Sequence, residues 1–207
     1  FQHWGLEPDL VTVAKSLSGG YVPVGALLMA RSVHEAVFDS MSHAMSHGST
    51  FAPNELAMAA GLATLNEMRE QRLVEESARL GERLLELTRP LVDEFEVVRD
   101  VRGLGLAWAV EFAEPEGGRM SYRMIERAQP GLFAQLVVVP LFTKHHILSQ
   151  VAGHDMAVIR ILPPLVVTDA DLEEFAGALR TTIKGAQRPT ALTKLAFTAA
   201  SSAVARR

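Results

Sequence analysis

Apolar positions fall into short runs separated by small and polar residues, and the runs alternate between two periodicities. Residues 10–14 (Leu-Val-Thr-Val-Ala) are apolar and β-branched, which predicts a buried strand. Lys15 follows directly, then the flexible turn Ser16-Leu17-Ser18-Gly19-Gly20. Residues 22–30 form a second apolar run, broken by Pro23 and Gly25, and predict another strand. Residues 32–41 read as a helix, with Ser32 as N-cap and Glu35 three positions on, the spacing of a capping box. Residues 42–53 are small and polar and predict a loop. Asn54 then opens a helix: Asn is a favoured N-cap, Glu55 suits the positive end of the dipole, and Leu56, Ala60, Ala63, Leu65 and Met68 fall near helical spacing. A further helix from about Gln71 puts Leu80, Leu84, Leu87 and Leu91 on one face, with Pro90 expected to kink or end it.

After Phe95 the pattern changes. Residues 97–101 and 105–112 predict two strands joined near Arg102-Gly103, and 114–118 a turn. Residues 122–134 predict a short helix ended by Pro130-Gly131. The apolar run 136–142 reads as a strand placed at an edge because it contains Pro140. Residues 158–162 predict another strand, stopped by Pro163-Pro164. Thr168 caps a helix over 170–184 with Asp169, Asp171 and Glu173 in its first turn. These elements place a boundary near Phe95, between an α/β part and a smaller α+β part. From Arg180 to the end the chain carries Arg180, Lys184, Arg188, Lys194, Arg206 and Arg207 and no acid. Such a tail could meet an anionic surface, or be the solvated end of an Ala-rich helix.

Composition narrows the class. The 207 residues are 48% hydrophobic and 21% charged, ordinary globular usage that argues against disorder. The chain has no cysteine, which removes disulfides, thiolate metal sites and cysteine nucleophiles and fits a cytoplasmic protein. A net charge of −4 gives no nucleic-acid footprint. No apolar run approaches the ~20 residues of a membrane helix. Phe1-Gln2-His3-Trp4 has no signal-peptide character, and the start at Phe1, so close to the first strand, reads as a chain whose first part lies upstream.

Four places could carry chemistry. Lys15 stands at the end of a strand, where open α/β sheets bind ligands, and a neutral amine there can attack a carbonyl and form a Schiff base; a lysine at a strand end can also be a snorkelling surface residue. The loop His47-Gly48-Ser49-Thr50-Phe51-Ala52-Pro53-Asn54 runs into a helix N-terminus and offers hydroxyls and amides to an anion such as phosphate, or serves only to cap that helix through Asn54. Arg102-Gly103-Leu104-Gly105 lacks the third glycine of a dinucleotide fingerprint and precedes a strand, so close backbone packing is the better account. Arg160 alternates with Ile159 and Ile161 and points away from them, toward either a substrate carboxylate or a structural one. His43 and His47 are not an HExxH pair and His145-His146 stands alone, so no metal site is expected.

Taken together, Lys15, Thr50 and Arg160 bring a resemblance. The stretch from Glu7-Pro8-Asp9 through Lys15-Ser16-Leu17-Ser18-Gly19-Gly20 to Val24-Gly25-Ala26 resembles the lysine segment of class-III (omega-type) aminotransferases, pyridoxal 5'-phosphate enzymes of fold type I. The likeness continues through residues 47–54, through Val101-Arg102-Gly103-Leu104-Gly105-Leu106 with Glu111, and through Arg160 to Pro164-Leu165. It implies an α/β fold: the C-terminal part of the cofactor-binding large domain over 1–95, a small C-terminal α+β domain over 96–186, and a basic Ala-rich tail over 187–207. It implies that Lys15 carries the cofactor and moves the proton. Ser49 and Thr50 would bind the cofactor phosphate of the neighbouring subunit, in a homodimer with shared active sites. Arg160 would hold the substrate carboxylate, and Gly103 and Gly105 would be structural. The activity implied is transamination between an amino donor and a 2-oxo acid. A mutase or decarboxylase of the same fold type, or a non-catalytic remnant or assembly subunit, is the alternative. The family's earlier half, which supplies the carboxylate paired with the pyridine nitrogen and the cup for the phosphate, is not in this stretch. A large exposed apolar surface is therefore expected, and the chain alone is expected to be inactive.

Overall fold

The computed structural model describes residues 1–115, 122–123, 126, 130–153 and 156–188. Its contacts divide the chain into two compact units, Phe1–Arg72 and Leu73–Arg207. The division falls ahead of the boundary expected near Phe95. The reason is that the helix starting at Leu73 buries Leu80, Leu84 and Leu85 in the core of the second unit.

In the first unit, β1 (Leu10–Ala14) pairs antiparallel with β2 (Gly25–Met29), with Val11 opposite Leu28 and Val13 opposite Ala26. The second strand is shorter than its apolar run and starts only at Gly25, past Pro23. Helix α1 (Arg31–Val37) follows at once, and Ser32 caps nothing. The Ala30 carbonyl already accepts from the Val33 and His34 amides, so Ser32 lies inside the helix and the expected capping box cannot form. Helix α2 (Glu55–Glu70) begins as expected, with Asn54 Oδ1 accepting from the Ala57 amide at 3.1 Å. Its buried side is small, Ala57 and Gly61, whereas Leu56 and Leu65 of the expected apolar face are exposed.

The second unit is a four-stranded antiparallel sheet with helices. Helix α3 (Leu73–Thr88) is followed by the short α4 (Leu91–Glu94), with Pro90 as the break between them. Strands β3 (Val98–Leu104) and β4 (Ala107–Phe112) form a hairpin. Helix α5 (Leu132–His145), β5 (Gln150–Val151), β6 (Val158–Ile161) and α6 (Asp169–Ala186) complete it, in the sheet order β3-β4-β6-β5. Thr168 caps α6 with a full capping box to Asp171, and Arg79 and Arg83 of α3 pair with Asp169 and Glu173 of α6.

The run 136–142 is not an edge strand but the middle of α5, with Pro140 inside the helix. Phe133, Ala134, Val137 and Leu141 are its buried residues, and that spacing is helical; a continuous apolar run does not by itself separate a buried strand from a buried helix. Of the helix expected over 122–134, residues 124–125 and 127–129 lie outside the described residues, as do 116–118 of the expected turn and the tail from 189 onward. The core joins Leu84 and Leu91 to Trp108, Val110, Phe133, Ile159 and Leu179. Trp108 stands edge-on to Phe175 at 5.5 Å between centroids, and its Nε1 donates to Thr88 Oγ1 at 3.0 Å. No described helix is long and apolar enough to cross a membrane.

Candidate active site

Lys15 is the first residue after β1 and opens a 3-10 turn, Lys15–Ser18. Its φ of 58° lies in the left-handed region, which a residue with a Cβ adopts only when its surroundings impose it. The surroundings are a tight loop. Ser18 is buried, and its hydroxyl donates to the Val22 carbonyl while accepting from the Val22 amide. Gly19 and Gly20 take φ of 65° and 86°. The turn packs against α2 at its small residues: a Cβ on Gly61 would sit 3.6 Å from the Leu17 carbonyl oxygen. Strand, turn and helix thus hold the Lys15 backbone while the side chain stays exposed.

Ser49 and Thr50 lie in the loop before α2, and both are exposed. Ser49 Oγ accepts from the Phe51 amide at 3.3 Å, and the Ser49 carbonyl accepts from the Ala52 amide at 3.0 Å. The Asn54 side chain accepts from the Ala57 amide and its carbonyl from the Met58 amide, so this residue caps the helix start. No hydrogen bond joins Lys15 to Ser49 or Thr50. Nearby, His43 Nδ1 lies 2.6 Å from Asp39 Oδ1, and that bond, with one from Ser40, lowers the Asp39 pKa.

Arg160 belongs to the other unit. It lies on β6, opposite Ala109 of β4 on one side and Gln150 of β5 on the other. Ile159 is buried and Arg160 is exposed, so the alternation read from the sequence holds. One strand further along the same row stands Arg102, opposite Ala109. Arg102 donates to Asp100 and Glu111, both at 2.7 Å, and these bonds raise its pKa. Arg160, by contrast, has no carboxylate within ion-pair distance among the described residues. Gly103 and Gly105 serve packing: Gly105 has φ 53°, and a Cβ there would come within 2.9 Å of Ser77 Oγ on α3. Gln150, beside Arg160 on a two-residue strand, carries no sequence signal that would have marked it.

The model of the family described as "Aminotransferase class-III" matches residues 1–183. The chain belongs to the class-III aminotransferases. Solved structures agree. A transaminase from the marine bacterium Virgibacillus is 26% identical, with TM-score 0.79, covering 90% of this chain and 41% of that one. Ornithine aminotransferase from Plasmodium yoelii is 27% identical, with TM-score 0.71, over 90% and 43%. Adenosylmethionine-8-amino-7-oxononanoate aminotransferase from Methanocaldococcus jannaschii is 26% identical, with TM-score 0.71, over 88% and 40%. The chain therefore spans about 40% of the length of these transaminases. Class-III aminotransferases depend on pyridoxal phosphate. The residues present here fit that group: an exposed amine on a fixed backbone, and two exposed hydroxyls ahead of a helix N-terminus.

Proposed function

We propose that this chain carries the lysine half of a cytoplasmic transaminase that moves an amino group between a small-molecule amino donor and a 2-oxo acid. The observation that carries the reading is Lys15: an exposed amine at the end of β1, on a left-handed backbone held by the Ser18–Val22 loop and by α2. When bound, pyridoxal phosphate supplies an aldehyde and an electron-withdrawing ring. Lys15 would hold it through Nζ and would serve as the base that takes the proton from the substrate carbon and returns it. Ser49 and Thr50 offer hydroxyls to the phosphate of the cofactor in the neighbouring subunit, which makes the working form a homodimer with shared sites. Arg160, lacking an ion-pair partner among the described residues, holds the carboxylate of the 2-oxo acid with its planar fork. The large cofactor domain is read as contributing residues 1–95 and the small domain 96–186. Residues 1–207 alone are read as inactive. Borohydride reduction of the cofactor-loaded complete protein, followed by peptide mapping, should place the label on Lys15; a label on Lys144 or Lys184 would overturn the assignment.

A further inference from the structure

Residues 41–47 read Met-Ser-His-Ala-Met-Ser-His, with a thioether or an imidazole at every second position. Histidine alone gives this stretch no metal spacing. Sulfur alters that, because Met41, His43, Met45 and His47 bring four donors into one short segment. Methionine ordinarily fills gaps in cores, yet Met41 and Met45 are 91% and 87% exposed. Both histidines are exposed as well. Successive turns coil the backbone here: the His43 amide donates to the Ser40 carbonyl at 3.0 Å, the Ala44 amide to that of Met41 at 3.4 Å, and the Ser46 amide to that of His43 at 3.0 Å. The donors therefore start from one compact stretch, and none has a packed position to leave.

One ring is already oriented. His43 Nδ1 lies 2.6 Å from Asp39 Oδ1, and Ser40 Oγ donates to the same oxygen at 3.0 Å. The bonds from His43 and then Ser40 hold the Asp39 carboxyl below its ordinary range, so it stays an acceptor. Nδ1 then carries the ring hydrogen, and Nε2 keeps its lone pair. A carboxylate behind the imidazole is the arrangement found at metal-ligating histidines, where it fixes the tautomer and raises the basicity of the other nitrogen. The thioethers choose the ion: soft sulfur favours Cu(I) over harder divalent cations. The chain has no cysteine to offer a softer site.

We propose that residues 41–47 bind one soft monovalent cation of the Cu(I) type through Met41 Sδ, His43 Nε2 and Met45 Sδ, with His47 as a further donor and Asp39 positioning His43. The site uses neither Lys15 nor Ser49 and Thr50, so it does not depend on the function proposed above.

The test is titration calorimetry of the full chain with silver nitrate in chloride-free buffer, Ag(I) being the redox-inert probe, beside zinc sulfate. Ag(I) should saturate one tight site, with Zn(II) at least about tenfold weaker. The methyl carbons of Met41 and Met45 should shift in NMR spectra as Ag(I) is added. Replacing both thioethers, Met41→Leu with Met45→Leu, keeps apolar bulk at two exposed positions and should weaken Ag(I) at least about tenfold. Asp39→Ala should weaken it about tenfold, and Asp39→Asn, which keeps an acceptor for Nδ1, should recover most of that loss. Circular dichroism confirms that each variant is folded. Absence of saturable Ag(I) binding, Zn(II) binding as tightly, shifts confined to other methionines, or a folded double variant that binds like the parent would overturn the site. An Asp39→Ala variant with unchanged affinity would overturn the positioning role. Borohydride labelling of Lys15 is read separately: labelled protein that does not bind Ag(I) sinks only this proposal, and Ag(I) binding without Lys15 labelling sinks only the transaminase reading.

Discussion

The two tryptophans divide as the two units do. Trp108, in the second unit, is 1% exposed, hydrogen-bonded and stacked edge-on; Trp4, in the first, is 69% exposed. The same contrast runs through the aliphatic residues. Leu84, Leu141, Ile159 and Leu179 are fully enclosed, while Leu10, Leu28, Leu62 and Met41 face outward. Every residue of the main hydrophobic core belongs to the second unit. The first keeps only Ser18, Ala57 and Gly61 buried, around the lysine turn. A two-stranded sheet is marginal by itself in water, and an exposed apolar surface of this extent marks a place for further protein. The lesson is a division of labour. The unit that makes its own core carries Arg160, whereas the unit that does not carries Lys15, Ser49 and Thr50, the residues proposed above for the cofactor.

Truncating the tryptophans is the sharpest way to break that contrast. Trp108→Ala removes a core ring and the hydrogen bond it donates to the Thr88 hydroxyl, which keeps its own bond to the Leu84 carbonyl, and should cost about 3–5 kcal/mol in denaturant unfolding of the second unit. Trp4→Ala should stay within about 0.5 kcal/mol. Similar losses for the two would show that the first unit has a core after all.

The chemical side of the comparison rests on Arg160→Ala. It should cost roughly 2–4 kcal/mol in transition-state binding of 2-oxo acids, because a carboxylate would lose its charged partner in a partly dry site. Donors without a carboxylate should suffer much less. Measuring the two half-reactions of the complete enzyme separately decides it: equal losses would make Arg160 a structural residue.

How far the sequence discloses this arrangement depends on range. The lysine turn was legible because it is local: strand, Lys15, then two glycines, and the structure keeps each in place. Asn54, Thr168 and Pro90 were legible for the same reason, since caps and breaks act within a turn of themselves. Residues 136–142 were misread because enclosure on all sides removes the polar face that distinguishes a helix from a strand; only the buried quartet from Phe133 to Leu141 shows the period. Ser32 lost its cap to an event two residues earlier, the chain turning from β2 into the helix at Ala30. Gln150 gave no signal, because only the pairing of β5 with β6 brings it beside Arg160.

Glycines give a smaller but cleaner contrast. A Cβ on Gly81 of α3 would overlap the Gly105 carbonyl, a backbone atom with no room to give, so Gly81→Ala should cost about 1–3 kcal/mol. On Gly61 of α2 the nearest atom would be at an ordinary 3.6 Å, and the gain in helix propensity should leave Gly61→Ala neutral or up to ~1 kcal/mol more stable. Thermal melts of both variants suffice. A stable Gly81→Ala would mean that α3 and the β3–β4 turn pack more loosely than described.

Acid should weaken the second unit by a small amount whose sign follows from its carboxylates. Asp169 is held below the usual carboxylate range by its hydrogen bonds to Arg79, and Asp171 by its hydrogen bond to the Thr168 hydroxyl and then by the Thr168 amide. A folded-state pKa lower than the unfolded value of ~3.9 means that the unfolded chain binds protons first. The contribution is therefore complete above that value and is lost as pH falls through the folded-state pKa values, so the urea midpoint should decline below about pH 4. The groups are exposed, so the slope should be shallow, and shallower in salt for the Arg79 pair than for the cap. Thr168→Val removes the hydroxyl from Asp171 and should flatten the Asp171 part of the slope while leaving the Arg79 part. Trp108 fluorescence, which reports the core of this unit alone, is the readout. An unchanged acid slope in Thr168→Val would show that the capping box does not form in solution.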